Sequence, residues 1–104
     1  MRLPSFRRSR FPGERSAIAM HTVIRGELPA LVVARSDDDL WLVGDGINEP
    51  DSAEIMDLVH LSHLVELDRT LLELADLERG QQADRETVGS PWVRSPFQWL
   101  DEEE

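Results

Sequence analysis

The sequence predicts an α+β protein: an antiparallel sheet of four to five strands with two helices on one face, in the chain order β-β-β-α-α-β-β. Three observations predict this fold. Short apolar runs alternate with turn residues in the first half of the chain. Two segments with leucines at helical spacing follow between residues 52 and 80. Short strand-like runs come after residue 80, which completes the predicted sheet.

The first three strands are predicted over residues 18–26, 30–35 and 40–44. Each is rich in β-branched and apolar residues, and the turns between them hold Pro29 and the run Ser-Asp-Asp-Asp at 36–39. Such short connections favour a meander in which consecutive strands pair. The nearly continuous apolar runs in the second and third strands indicate central positions in the sheet.

A first helix is predicted over residues 52–67. Asp51 and Glu54 have the spacing of a capping box at its start. Leucine and valine residues recur every three to four positions, with Leu58 on the inner stripe. The helix is therefore expected to be mostly buried.

A second helix is predicted from Asp68 or Thr70 to Gly80. Thr70 and Glu73 also have capping-box spacing, Leu74 lies on the inner stripe, and Gly80 is placed to end the helix. The polar run at 81–88 then predicts an edge strand, and residues 92–94 a short final strand. Trp41 and Trp92 are interpreted as core aromatics rather than as a ligand platform.

Length and composition bound the class of protein. The 104 residues suffice for one domain, and 40% of them are apolar, which allows a modest core. Without cysteine, disulfides, thiolate catalysis and cysteine-bound zinc are excluded. No apolar run is long enough to cross a membrane, and no secretory signal follows the N-terminus. A cytoplasmic protein is expected, and because all 11 basic residues are arginine, a bacterial genome rich in G and C.

Residues 1–17 differ from the rest of the chain. They have no helical or strand period and predict a disordered basic arm ahead of a single domain at 18–94. Three explanations stay open: an arm that contacts an anionic surface, a transit peptide, or a misassigned start with Met20 as the alternative.

The charge of the chain points to the kind of partner it could bind. The formal net charge is -10, and residues 16–104 hold six arginines against twenty acids. Nucleic acid and membranes are poor partners for such a chain, because cationic side chains supply most of that affinity. A protein partner with a basic patch is expected instead.

A resemblance adds to this expectation. It is carried by Trp41 and Gly44 on the third strand, by the helical run LVHLSHLVELDRTLLELADLERG, and by Arg85 and the run PWVR at 91–94. Over residues 20–94 the chain resembles small bacterial proteins of high-GC genomes. More remotely it is similar to a bacterial domain of unknown function grouped with predicted immunity proteins of toxin systems. The resemblance implies protein binding and supplies no catalytic residues.

The strongest candidates for chemistry are two histidines. Asp57, His60, His63 and Glu66 recur every third residue, and His60 with His63 could form a metal pair that needs a third ligand, from His21 or Asp57. The alternative is that these histidines lie on the less buried side of the helix and pair with carboxylates. No cofactor is expected, and the reading as a small metal-dependent or acid–base enzyme is the second choice.

Other acidic clusters do not match known site patterns. The aspartates at 37–39 and Asp45, Glu49 and Asp51 lack the spacing of a calcium loop and are interpreted as solvated turns. No phosphate loop and no nucleophile triad are present. An enzyme is therefore not the first expectation.

The C-terminal segment 95–104 combines aromatic and acidic residues. Its candidate partner-binding residues are Phe97, Trp99, Asp101, Glu102, Glu103 and Glu104. Either the two aromatics fold back onto the open face of the sheet, or the segment docks into a basic-rimmed apolar groove on another protein. Taken together, the sequence predicts an acidic, immunity-like interaction module that binds a basic protein.

Overall fold

A six-stranded mixed sheet is the framework of the described part of the chain, residues 15–47 and 56–97 of a computed structural model. Its strands are β1 (Ser16–Met20), β2 (Val32–Arg35), β3 (Trp41–Gly44), β4 (Met56–His60), β5 (Gln81–Asp84) and β6 (Val93–Pro96). The helices are α1 (His21–Ile24), α2 (Leu61–Leu67) and a 3₁₀ helix (Arg69–Leu74). The order across the sheet is β4-β1-β3-β2-β5-β6. The α+β class is confirmed, whereas the purely antiparallel sheet of four to five strands is not.

The first predicted strand, 18–26, is half strand and half helix. After β1, the segment His21–Ile24 forms one helical turn, which Gly26 ends with a φ of 75°. This turn carries the chain away from β1, so β2 does not pair with it. Instead β3 lies between them, parallel to β1 and antiparallel to β2. The predicted meander is therefore wrong at its first connection and confirmed at its second.

The predicted helix 52–67 divides into strand β4 and helix α2. In β4, Leu58 pairs with Ile18 of β1, and its side chain is 67% exposed. Leu61 and Leu64 of α2 are each only 1% exposed and supply the burial expected of a helix. The expectation that Leu58 is a core residue is thus wrong. The predicted cap at Asp51 and Glu54 lies outside the described residues.

The second predicted helix is a shorter 3₁₀ helix. Asp68 precedes it and caps it, since its Oδ1 accepts a hydrogen bond of 3.0 Å from the amide of Thr70. The helix ends at Leu74, six residues before the predicted end at Gly80. Gly80 instead leads into β5, with a φ of 82° and its amide 2.7 Å from the carbonyl of Arg35. Leu74 is fully buried, as expected.

The helices cover one face of the sheet. Small and apolar side chains point to that face, and leucines of the helical layer pack on them; the set is Ala17, Ala19, Val33, Trp41, Val43, Ala83, Leu61, Leu64, Leu71, Leu74 and Leu77. Alanine on the strands lets the short helices approach closely. The opposite face carries Ile18 and Leu42, both half-buried, and the exposed Val93. No described helix covers that face.

Strand β5 is internal, not an edge, because it pairs with β2 and with β6. The edge on this side is β6, whose position agrees with the predicted final strand. The amide of Phe97 donates to the carbonyl of Gly80 at 2.7 Å, so by the alternation of antiparallel pairing the backbone of Pro96 faces outward. Proline has no amide hydrogen, which discourages another strand from adding here.

The sheet extends two residues beyond each predicted boundary of the domain. It begins at Ser16 rather than 18 and ends at Pro96 rather than 94. A chain that started at Met20 would lack most of β1, which lies between β3 and β4. Within residues 15–47 and 56–97, no helix is both long and apolar enough to span a bilayer.

Candidate functional site

An apolar groove opens at the end of the sheet where β1 and β3 finish. Its volume is about 370 Å³. One wall is the loop after α1, with Leu28, Pro29 and Ala30; the other is the helical layer, with Leu64, Leu67 and Leu71. Val23 and Val88 complete the lining. We call this surface the α1–α2 groove.

The lips of the α1–α2 groove are exposed, and each of the two carboxylates in its lining has an arginine nearby, Arg85 beside Asp68 and Arg25 beside Glu27. Leu67 is 50% exposed and Val88 53%. The ionisable residues that line the groove are Glu27 and Asp68, and no basic side chain is part of the lining. An open apolar surface with acidic residues suits a protruding side chain of a cationic partner better than an enclosed small molecule.

Arg85 joins the two walls of the groove. Its side chain is only 1% exposed. Nε and Nη2 donate to the carbonyl of Ala30 at 3.1 and 3.0 Å, and Nη1 donates to Thr70 Oγ1 at 2.7 Å. Nη2 also forms an ion pair with Asp68, and the guanidinium stacks on the ring of Trp92 at 4.1 Å. The loop and the helical layer are therefore held together by one buried cation.

The carboxylate of Asp68 is kept ionised by this arrangement. Burial raises the pKa of Asp68, but the hydrogen bonds from Thr70 and Arg85 outweigh burial and hold the pKa below its ordinary value. Both carboxylate oxygens are occupied, Oδ1 by Thr70 and Oδ2 by Arg85. The main role of Asp68 is therefore structural, and its negative charge at the groove is largely balanced by Arg85.

A second ionic cluster lies at the opposite end of the sheet. Asp39 has a φ of 69° and accepts hydrogen bonds from Arg15 at 2.6 Å and Arg35 at 2.7 Å, with Arg79 at 3.5 Å. The hydrogen bond from Arg35, then that from Arg15, lowers the pKa of Asp39 to about 2. The cluster ties the turn after β2 to the segments before β1 and β5.

Stability is expected to fall in acid because of Asp39. Its folded pKa lies below the ordinary value of 3.8, so its contribution is complete above about pH 4 and is lost as the pH falls toward 2. Asp39→Asn keeps a side chain that tolerates positive φ but removes the charge. Thermal midpoints from pH 7 to 2 should decline less steeply for Asp39→Asn than for Asp38→Asn, an exposed control in the same turn. Equal slopes for the two variants would contradict this role.

Two acids interpreted as solvated turns are instead structural. Asp39 forms the ionic cluster just described, and Asp45 is fully buried. Asp45 accepts a hydrogen bond of 2.6 Å from Thr22 and one of 2.8 Å from the amide of Ile47. Asp37 and Asp38 are exposed, as the interpretation requires.

The candidate metal residues are spread over several elements. His60 ends β4, and His63 in α2 has Nε2 at 3.2 Å from the carbonyl of Ile24. His21 Nε2 lies 3.8 Å from Asp57 Oδ2. Because residues 57–60 lie in a strand, the side chains of Asp57 and His60 point to opposite faces of the sheet. The two residues are also about 10 Å apart along the strand. Among the residues that the structure describes, no three histidine or carboxylate side chains form a group that could hold a metal ion.

The C-terminal candidates are only partly described. Phe97 is half-buried, and its amide bonds to Gly80 as part of the sheet. Trp99 and the acids Asp101 to Glu104 lie outside the described residues, so both alternatives for this segment stay predictions. Trp41 is a core residue at 1% exposure, and Trp92 is partly buried against the core, in agreement with the interpretation of both.

Sequence reasoning missed the groove and the structural role of Arg85, which it named only among the residues that carry the resemblance. Ala30, Asp68 and Arg85 are distant along the chain and meet only in the fold. The one signal in the sequence was the prediction of Asp68 as a helix start. It predicts the helix cap but not the ion pair of Asp68 with Arg85.

Comparison of the chain with protein-family models, with curated proteins and with solved structures found no match. The resemblance to immunity-associated domains therefore stays a prediction.

Proposed function

We propose that this chain is an acidic protein-binding module that engages a basic protein partner. The observation that carries the proposal is the division of charge between interior and surface. Of the thirteen described carboxylate residues nine are exposed, but of the seven described arginines only four are exposed. Carboxylates therefore outnumber arginines among the exposed charges of the described residues, nine to four.

Three of the seven described arginines are partly or fully buried in ion pairs. Arg85 is buried against Asp68, and Arg15 and Arg35 are half-buried against Asp39. Two of the exposed arginines also contact acids: Arg94 lies 2.8 Å from Asp76, and Arg79 lies 3.5 Å from Asp39. Cations that neutralise internal acids contribute little to the field outside, so the outer field is dominated by carboxylates.

Such a field favours fast encounter with cationic surfaces and disfavours phosphate and anionic lipid. Proteins that cleave nucleic acid present basic surfaces because they bind phosphate. An immunity-like role against such a protein is the biological setting that the sequence resemblance and the surface charge support together. The partner's basic patch, rather than its activity, is the property that the proposal requires.

The test is the salt dependence of association. A partner retained by the immobilised chain at low salt should have an association rate that falls about tenfold or more between 0.01 and 0.15 M salt, as the Debye length shortens from about 30 to 8 Å. Glu66→Gln, Glu73→Gln and Glu78→Gln together should slow association, since all three side chains are exposed. The matched control, with aspartate at the same positions, keeps the charge and should keep the rate. An acidic partner, or a rate that ignores salt, would contradict the proposal.

A further inference from the structure

We infer that the α1–α2 groove is the docking surface for a large apolar side chain of the partner, next to a lysine or arginine that contacts Glu27. This inference rests on the proposed function, because it names the contact through which a basic partner would bind. An apolar anchor beside a cation matches what the groove offers, which is apolar walls and one exposed carboxylate, Glu27.

The α1–α2 groove has room for a large apolar side chain. Its volume of about 370 Å³ is at the low end for ligand sites, which span about 300–1,000 Å³. The exposed lips Leu67 and Val88 would both be covered by an inserted side chain. Burial of such lips together with the anchor is the typical centre of a protein interface.

Glu27, not Asp68, is the acid that is free to bind a cation. Both oxygens of Asp68 already accept hydrogen bonds. Glu27 is exposed, and its Oε2 lies 3.9 Å from Nη1 of Arg25, a loose surface pair. Arg25 is not part of the groove lining and competes with any incoming cation for Glu27. Removing Arg25 should therefore strengthen binding, whereas removing the charge of Glu27 should weaken it.

The groove is formed before the partner arrives. The amides of Glu27 and Leu28 donate to the carbonyl of Thr22 at 2.9 and 3.2 Å, which fixes the loop. Arg85 ties the same loop, at Ala30, to the helical layer. A groove with fixed walls loses little conformational entropy on binding.

The face of the sheet opposite the helices is the competing surface. It exposes Leu58 at 67% and Val93 at 65%, more than the groove lips. Among its described positions Asp84 is the one carboxylate. An apolar face with so little charge does not select a cationic partner, so charge complementarity favours the groove.

The experiment is an NMR titration of the full chain, in which the methyl groups of leucine and valine are labelled. The titrant is a capped peptide in which Leu-Phe lies between two pairs of lysines. Shifts are expected at Leu64, Leu67 and Val88. A peptide with glutamates in place of the lysines should not bind, and one with glycines in place of Leu-Phe should bind about tenfold more weakly or not at all.

Matched variants locate the site. Leu67→Ser should weaken lysine-peptide binding about tenfold, and Leu58→Ser, a similarly exposed leucine, should leave it unchanged. Val88→Ser tests the other lip of the groove. It replaces Leu67→Ser as the test variant if Leu67→Ser lowers the thermal midpoint. Arg25→Gln should tighten binding and Glu27→Gln should weaken it, with opposite changes in salt dependence.

The outcomes separate the groove from the function. Shifts centred on Leu42, Leu58 and Val93, with sensitivity to Leu58→Ser, would overturn the groove and leave the proposed function standing. Equal weakening by Leu67→Ser and Leu58→Ser would likewise overturn the groove. Equal binding of the lysine and glutamate peptides, or no binding of either, would overturn both.

Discussion

Replacing Arg85 with glutamine is expected to lower the free energy of unfolding by about 3 kcal/mol, because it leaves Asp68 and the carbonyl of Ala30 without their cationic partner. Arg85→Lys should restore only part of the loss, since one ammonium group cannot make the same hydrogen bonds and also stack on Trp92. Chemical denaturation monitored by tryptophan fluorescence measures both variants.

The control for Arg85 is Arg25→Gln, which makes the same chemical change at a side chain that is 62% exposed. Its effect should stay within about 0.5 kcal/mol, as for other surface substitutions. If Arg85→Gln cost no more than Arg25→Gln, the buried cation would not hold the groove walls together. The groove could then not be treated as a fixed surface.

Replacing Leu74 with alanine is expected to cost about 2–5 kcal/mol, because its side chain is fully buried under the sheet and its removal leaves a cavity. A domain of this size has little stability to spare, so the variant could unfold at physiological temperature. Thermal and denaturant midpoints give the measurement.

Leu58→Ala is the matched comparison for Leu74→Ala. Both remove the same atoms, but Leu58 is 67% exposed on an edge strand, so about 0.5 kcal/mol or less is expected. A cost for Leu58→Ala as large as that for Leu74→Ala would mean that residues 56–60 are packed as a helix, as the leucine spacing suggested.

That spacing shows where sequence reasoning reaches its limit. The run from Met56 to His60 fits a helical stripe, but it also fits alternation, with Met56, Leu58 and His60 on one face. Pairing with β1 decides between the two, and Ala17 and Ile18 are too far away in sequence to be visible locally. Leu74 was predicted correctly because its stripe has no competing alternation.

The candidate site was less predictable than the fold class. The acidity of the chain is readable from composition, but the ion pairs of Arg15 and Arg85 are not, because their partners lie far away in the sequence. The α1–α2 groove likewise depends on the short turn His21–Ile24, which the sequence presents as the continuation of a strand. Tertiary packing overrides the strand preference of valine and isoleucine there.

The position of β1 also determines when the protein can fold during its synthesis. Ala17 pairs with Trp41 on one side and with Val59 on the other, so β1 leaves the ribosome before either of its partner strands. The hairpin of β2 and β3 can close early, because its strands are adjacent in sequence. Pairing of β1 with β3 requires closure of the loop between them, whose entropy opposes the step, and β4 then adds to β1. We therefore expect a nascent chain arrested before residue 60 to remain sensitive to proteases, and resistance to appear only after the buried leucines of the helical layer have been added.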